Sequence, residues 1–346
     1  MLLNTDYIEP VELTGYVREF AADLPVNQFA LAQWLPNRTI DDLEYRFTRG
    51  GEGLTEAATF RAYDAESPIG SRPGVTRVSG ELPPISRKIR LSEYDRLRQR
   101  SANGDAVRNL LLTDAERMTR SVAARMELAR GDALVNGSVT INENGVQATV
   151  SFGRTGSHSV TPGVAWSTVA TATVLADLLS WQQTYIDTNG AAPGAILTST
   201  TVLNYMLRNA EIRTIAASVS GTPQLVTQAA LRAVMEAYGL PPIYTYDVRV
   251  NVDGAATRVI AADVLLLLPE PTGTDNADGT DLGATLWGTT AESLDPKYGL
   301  EEGERPGIVA GAYATEDPIA IWTKAAGVGL PVLANPDLTL KADVVP

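Results

Sequence analysis

The chain has 346 residues, with 41 Asp and Glu against 28 Lys and Arg, no Cys and a single His, His158. Without Cys there is no disulfide framework, thiolate zinc site, iron–sulfur cluster or cysteine nucleophile. With one imidazole there is no multi-histidine metal centre, and any Ser-His-Asp triad would have to run through His158. The length predicts about two domains with a sizeable core. The longest aliphatic run, Val264–Leu268, is far too short to span a bilayer, and the start Met1–Asp6 has neither a basic nor an apolar region. A soluble protein without a signal peptide is expected, with no membrane partner.

Residues 1–48 hold short mixed segments, one of them a strand or helix between Val26 and Leu35, and read as an arm. From Arg49 to Pro84 the chain is rich in Gly and Pro and has no periodicity. Phe60 and Tyr63 in one half and Val75 and Val78 in the other predict a long two-stranded projecting loop. Such a ribbon is marginal alone in water, so it should rest on another subunit. Ile85, Ile89 and Leu91 among Ser86, Lys88 and Arg90 predict a strand. Asp105 to Val135 is the strongest helix, with apolar positions Val107, Leu111, Ala115, Met118, Val122, Met126, Ala129 and Ala133 at spacings of four and three. It would be about 45 Å long. Arg108, Arg117, Arg120, Arg125 and Arg130 are read as its other face.

Val139 to Phe152 reads as a hairpin about Asn144-Gly145. Helices are expected over Ser167–Asn189, closed by Gly190, over Thr200–Asn209, and from Thr222-Pro223 to Tyr238. Ala195–Leu197 is a short buried strand. Tyr244 to Val252 alternate as a strand that Asp253-Gly254 turns into a partner running toward Val264–Leu268. The tail alternates short strands with Pro and Gly. Helices interleaved with strands predict a mixed α+β fold.

The charge is segregated. Arg87 to Gly131 contains eleven basic and six acidic residues; Asp263 to Asp317 contains twelve acidic residues against Lys297 and Arg305. Such a chain can meet its own copies, or a nucleic acid, in a fixed orientation, although a solvated helix face and an acidic loop are the simpler account of the charges alone. Motifs for chemistry are missing. Gly50-Gly-Glu-Gly53 lacks the lysine of a phosphate-binding loop, and Gly327-Val-Gly329 is followed by Pro331, where a dinucleotide fingerprint needs a helix to begin. Asp275, Asp278 and Asp281 do not have calcium-loop spacing. His158, in Gly156-Ser-His-Ser159, reads as part of an exposed turn. No catalytic, cofactor or metal residue is assigned.

The order of elements resembles the major capsid proteins of tailed bacteriophages, which have the Hong Kong 97-like fold. Specific phrases make it similar to the lambda-type major capsid protein E family. Residues 67–70 (Ser-Pro-Ile-Gly) and 80–90 (Gly-Glu-Leu-Pro-Pro-Ile-Ser-Arg-Lys-Ile-Arg) look like that family's extended loop entering the spine helix. Residues 239–247, 264–269 and 286–290 look like its axial domain, and 317–321 and 330–333 like its closing segment. The resemblance implies an N-terminal arm over 1–48, an extended loop over 49–90 and a peripheral domain over 91–190 with the spine helix at about 105–135. An axial domain over 191–315 and closing strands of the peripheral domain over 316–346 complete it. It implies a head protein, not an enzyme, that self-assembles into hexamers and pentamers of an icosahedral virion shell in the host bacterial cytoplasm. Packaged double-stranded DNA, held without sequence specificity, a decoration protein, a scaffold and a portal are its further partners; no cofactor is expected. The candidate inter-subunit contacts are Phe60, Arg61, Tyr63, Arg77 and Glu81 in the loop and Arg117, Arg120 and Arg125 on the helix. An encapsulin-like compartment shell is the alternative of the same fold, and a carboxylate-based soluble enzyme the alternative of another class.

Overall fold

The computed structural model describes residues 2–3, 5–22, 30–49, 60–61, 63, 76–94, 104–143, 145–217, 226–273, 279–317 and 319–345. In chain order these form β1 (Leu2–Leu3), α1 (Pro10–Ala22), β2 (Asn37–Thr39), β3 (Glu44–Arg49), β4 (Thr76–Glu81), β5 (Pro84–Leu91) and α2 (Gly104–Asn136). The hairpin β6 (Ser138–Glu143) and β7 (Val146–Ser151), β8 (Ser159–Val160), α3 (Val174–Asn189), β9 (Ala195–Thr198), α4 (Thr200–Arg208), α5 (Ala210–Ala216) and α6 (Gln228–Ala237) follow. Then come β10 (Ile243–Thr245), β11 (Arg249–Val252), β12 (Ala255–Arg258), β13 (Val264–Leu268), β14 (Gly283–Gly288), α7 (Ala291–Leu294), β15 (Val309–Glu316), β16 (Ile319–Leu333) and β17 (Leu340–Asp343). Among the described residues no helix is long and apolar enough to cross a membrane.

Two sheets organise the chain. The larger runs β1-β15-β16-β14-β2, with β5 paired to β16 off that path; the smaller runs β10-β9-β13-β17-β8. The smaller sheet is covered on both faces, which is why β13 is an unbroken aliphatic run. Val264, Leu266 and Leu268 point into one core with Ala195 and Leu197. Leu265 and Leu267 point the other way with Ile196, Leu340 and Ala342, against α3 to α6. A third core lies between the larger sheet, α1 and the first half of α2.

Helix α2 belongs to two of these cores. Leu111, Ala115, Met118, Val122 and Met126 pack in the third core, Ala129, Ala133 and Leu134 in the first. Their spacing of 4-3-4 from Leu111 to Val122 repeats from Val122 to Ala133, an eleven-residue pattern with about 3.67 residues per turn. That is close to the 3.6 of a straight helix, so one stripe can face inward along its 33 residues without supercoiling.

Several local expectations are corrected. Residues 10–22, read above only as part of an arm of short mixed segments, are helical because Leu13 and Val17 bury completely and the Thr14 hydroxyl donates to the Ala310 carbonyl (3.0 Å) and accepts from the Ala310 amide (3.2 Å). Helix α3 starts at Val174 and not Ser167, since the carbonyls of Val169 and Ala172 are taken by the Asn209 side chain at 3.4 and 2.8 Å. Helix α6 starts at Gln228, with the Thr227 hydroxyl accepting from the Ala230 amide; the expected start at Thr222-Pro223 lies outside the described residues.

The run 244–252 is two strands. Tyr246 donates its amide to Thr198 O (2.8 Å) and turns its ring inward, so β10 pairs with β9 and β11 pairs with β12. Asp253 and Gly254, at φ 49° and 87°, make that second turn, and β13 enters the other sheet.

The tail holds one fifteen-residue strand, β16, that passes through Gly327, Gly329 and Pro331. The Thr285 amide bonds to Pro36 O, away from β16, so the facing pair Thr285–Pro331 exchanges no hydrogen bonds. The missing amide of Pro331 then faces the side where β5 has already ended, at the pair Pro84–Val328. A Cβ on Gly327 would lie 2.8 Å from the Trp287 ring, and one on Gly329 2.7 Å from Leu286 O. Those glycines make room for an indole, which explains a Gly-Val-Gly with no nucleotide role. His158 is fully buried, not exposed: its ring nitrogens lie 3.1 Å from Thr339 O and 3.0 Å from Thr188 Oγ1, held between α3 and the segment before β17.

Candidate assembly surface

The projecting loop stands on a two-stranded base. β3 and β4 pair antiparallel from Glu44–Glu81 to Arg49–Thr76. Tyr45 lies opposite Gly80 with its ring over the glycine, where a Cβ would come within 2.7 Å of Cζ, and is buried in the first core with Leu82. The ribbon is thus anchored at its foot by a side chain that only a cross-strand glycine admits. Beyond it Phe60 and Tyr63 are fully exposed, at 108% and 100%, and Arg61 is exposed. Arg77 stands in register with Thr48 across the ribbon, and Glu81 is exposed at its foot. The other residues of the loop, 50–59, 62 and 64–75, lie outside the described residues.

The predicted helix arginines have separate fates. Arg117 is 65% exposed, with one nitrogen 3.4 Å from the buried Asp114. Arg120 sits over the Phe20 ring of α1 at 5.1 Å. Arg125 pairs with Glu143 of the β6–β7 hairpin at 3.2 Å. Arg108 is engaged with Glu12. Arg130 does not belong to the outward face at all: it is 5% exposed, because its own side of α2 packs against the strands that carry Asn37 and Thr285.

Arg130 is instead the centre of a buried polar knot that joins four parts of the chain. Its Nη1 donates to Glu127 Oε2 (3.1 Å), its Nε to Thr285 Oγ1 (2.8 Å) and its Nη2 to Asn37 Oδ1 (2.7 Å). Glu127, with no exposed surface, also accepts from the Leu31 amide (3.0 Å) and the Tyr246 hydroxyl (2.7 Å). Asn37 accepts in turn from the Trp287 indole at 2.9 Å, and the Thr285 hydroxyl donates to Leu35 O at 2.8 Å. Burial, then the neighbouring Glu127 carboxylate, raises the Tyr246 phenol well above its ordinary range, so it stays a donor. Sequence reasoning missed the knot. The available signal was a Glu and an Arg three residues apart, between Met126 and Ala129 on one side and Ala133 and Leu134 on the other, where an amphipathic helix turns apolar on more than one face.

None of this is an arrangement for chemistry. Among the described residues no group of three or more His, Asp or Glu could hold a metal ion. The buried ionic groups hold segments together, and the conspicuous exposed groups include two aromatics in the chain between β3 and β4 and guanidinium groups on α2.

A long helix laid across a sheet, a projecting ribbon and a second, five-stranded sheet define the Hong Kong 97-like fold of viral head shells. The chain matches the model of the phage major capsid protein E family over residues 10–344, and it belongs to that family. A putative capsid protein of a prophage of Escherichia coli CFT073 has a similar structure, with a TM-score of 0.62 at 12% identity over 98% of this chain and 99% of that one. A phage-related protein of Bordetella bronchiseptica RB50 has a TM-score of 0.61 at 12% identity over 96% and 97%. No curated protein matches this chain significantly. The protein is therefore a phage major capsid protein, a structural component of the virion that forms the head shell by self-assembly, and not an enzyme. The alternatives of a compartment shell and a carboxylate enzyme give way to this assignment.

Proposed function

We propose that the subunits form the hexamers and pentamers of an icosahedral shell around double-stranded DNA, and that the ribbon is the element by which each subunit grips its neighbour. The single observation that carries this reading is the pair of fully exposed aromatics, Phe60 and Tyr63, in the chain between β3 and β4. Left in water, two such side chains forgo about 1.5–3 kcal/mol each of burial, which a groove on a neighbouring subunit restores. Arg61, Arg77 and Glu81 then lie along the same contact and set its register through charge. The same proposal divides the chain into arm, extended loop, peripheral domain, axial domain and closing strands, with α2 as the spine.

Some shells of this fold are joined by Lys–Asn isopeptide bonds from the extended loop. The only lysines here are Lys88, Lys297, Lys324 and Lys341, none between residues 49 and 84, which favours a non-covalent shell. A decoration protein, together with a scaffold and a portal, completes the set of partners. Negative-stain microscopy of purified protein tests the grip. Wild type is expected to give shells or capsomers, and the double variant Phe60→Ser, Tyr63→Ser folded subunits with at least a tenfold lower yield of particles. Unchanged yield in the double variant removes the ribbon from the interface.

A further inference from the structure

We infer that the outward face of α2, completed by Arg87 from β5, is the surface on which the shell meets the phosphate backbone of its enclosed double-stranded DNA. This deepens the reading of the protein as a DNA-filled head and rests on it. The starting observation is one hydrogen bond. Arg87 Nη1 donates to Ser121 Oγ at 3.2 Å, and Ser121 lies one helical turn after Arg117 and one before Arg125. The arginine from the strand therefore fills the gap between two helix arginines. Three guanidinium groups follow one another at about 6 Å per turn, with exposed Arg120 beside them.

The surroundings keep this row cationic and raised. Thr113, Ser121 and Ala124 between the arginines are short, so the long side chains stand above the helix surface. Of the carboxylates near the face, Asp114 is buried beneath Arg117, Glu143 sits at the far end beside Arg125, and Glu116 is held by the Tyr16 hydroxyl. No exposed large hydrophobic of the described residues lies on α2. A protein partner needs an apolar centre in its contact, whereas a nucleic acid is held by cations alone. Guanidinium groups suit phosphate oxygens by their fork of donors. A row about 12 Å long faces on the order of seven charges of a duplex, which carries one per about 1.7 Å of axis. Because the whole chain is at −13, DNA is repelled elsewhere and the row orients the subunit.

The test measures binding of a random-sequence DNA duplex to the full-length, unassembled subunit as a function of salt. Wild type is expected to bind with a steep negative slope of log K against log salt. In Arg87→Gln, Arg117→Gln, Arg120→Gln the slope should shrink by about 0.9 for each phosphate no longer neutralised, roughly 2.7 in all. The control Lys88→Gln, Arg90→Gln changes cations of β5 that flank Trp322 and should leave the slope unchanged. An unchanged slope in the triple variant, or an equal loss in the control, overturns the inference. Microscopy separates the remaining case. The triple variant is expected to form shells at wild-type yield; loss of shells from folded subunits would show that the row joins neighbouring subunits and overturn the inference while leaving the shell intact. Wild-type subunits that bind DNA but never assemble would count against the shell reading and not against the row.

Discussion

Glu127 is a carboxylate with no exposed surface, and it is tolerable only because three donors meet it. Removing water from an ion costs several kcal/mol, and a buried pair recovers this only when every remaining group is satisfied. Arg130→Ala takes away the compensating charge and also the donors to Thr285 and Asn37, so a loss of about 3–5 kcal/mol is expected in denaturant unfolding of the unassembled subunit. Glu127→Gln keeps an oxygen for the Leu31 amide and the Tyr246 hydroxyl and should cost less. Equal losses from the two variants would mean that the charge pairing itself, and not the volume and donors lost with the arginine, sets the cost at this position. The knot also explains why the sequence hides it: Asn37, Thr285 and Tyr246 each look like ordinary strand residues until the chain has folded around α2.

At the scale of elements, two glycines in helices make opposite predictions. Alanine is preferred over glycine inside a helix by about 1 kcal/mol. In α1, Gly15 has nothing within 4 Å of where an added methyl would sit, so Gly15→Ala should raise stability by that amount. In α2, a methyl on Gly131 would lie 2.6 Å from Val259 O, so Gly131→Ala should lose about 1–3 kcal/mol despite the same propensity. Thermal unfolding of the two variants decides it, and two shifts of the same sign would refute the close approach.

The same contrast shows which elements the sequence revealed. Helix α2, the hairpin β6–β7 and the αL glycine after α3 are local: period, turn residues and caps lie within one stretch. Helix α1, the length of β16 and the burial of His158 depend on partners far along the chain, such as Ala310 for Thr14 and Thr285 for Pro331. Of the proposed contact surfaces, the exposed aromatics Phe60 and Tyr63 could be named from composition and pattern, and so could Arg117, although as a contact between subunits and not as part of a DNA-facing row. The contribution of Arg87 could not, because it depends on a strand lying beside a helix turn 34 residues away.

At the scale of the whole molecule, the composition that first excluded catalysis describes an assembly subunit. The acidic stretch from Asp263 to Asp317 outweighs the basic one from Arg87 to Gly131, so the DNA-facing row proposed for α2 stands on an otherwise acidic subunit. None of the four lysines lies between residues 49 and 84. In mature particles dissolved under denaturing, reducing conditions, this subunit should therefore run as a monomer, near the 36.9 kDa of this chain, on electrophoresis. A ladder of higher species would contradict a shell held together without covalent bonds.

Helix α2 spans the boundary between two cores, leaving one at Met126 and entering the other at Ala129, with Glu127 clasped between them. Mechanically this makes it a beam clamped at both ends. Strand β16 also contributes to both cores, so a rotation of one core against the other would have to bend this beam and the larger sheet together. The turn at residues 126–129, where α2 passes from one core to the other, is the part of the helix that such a rotation would flex.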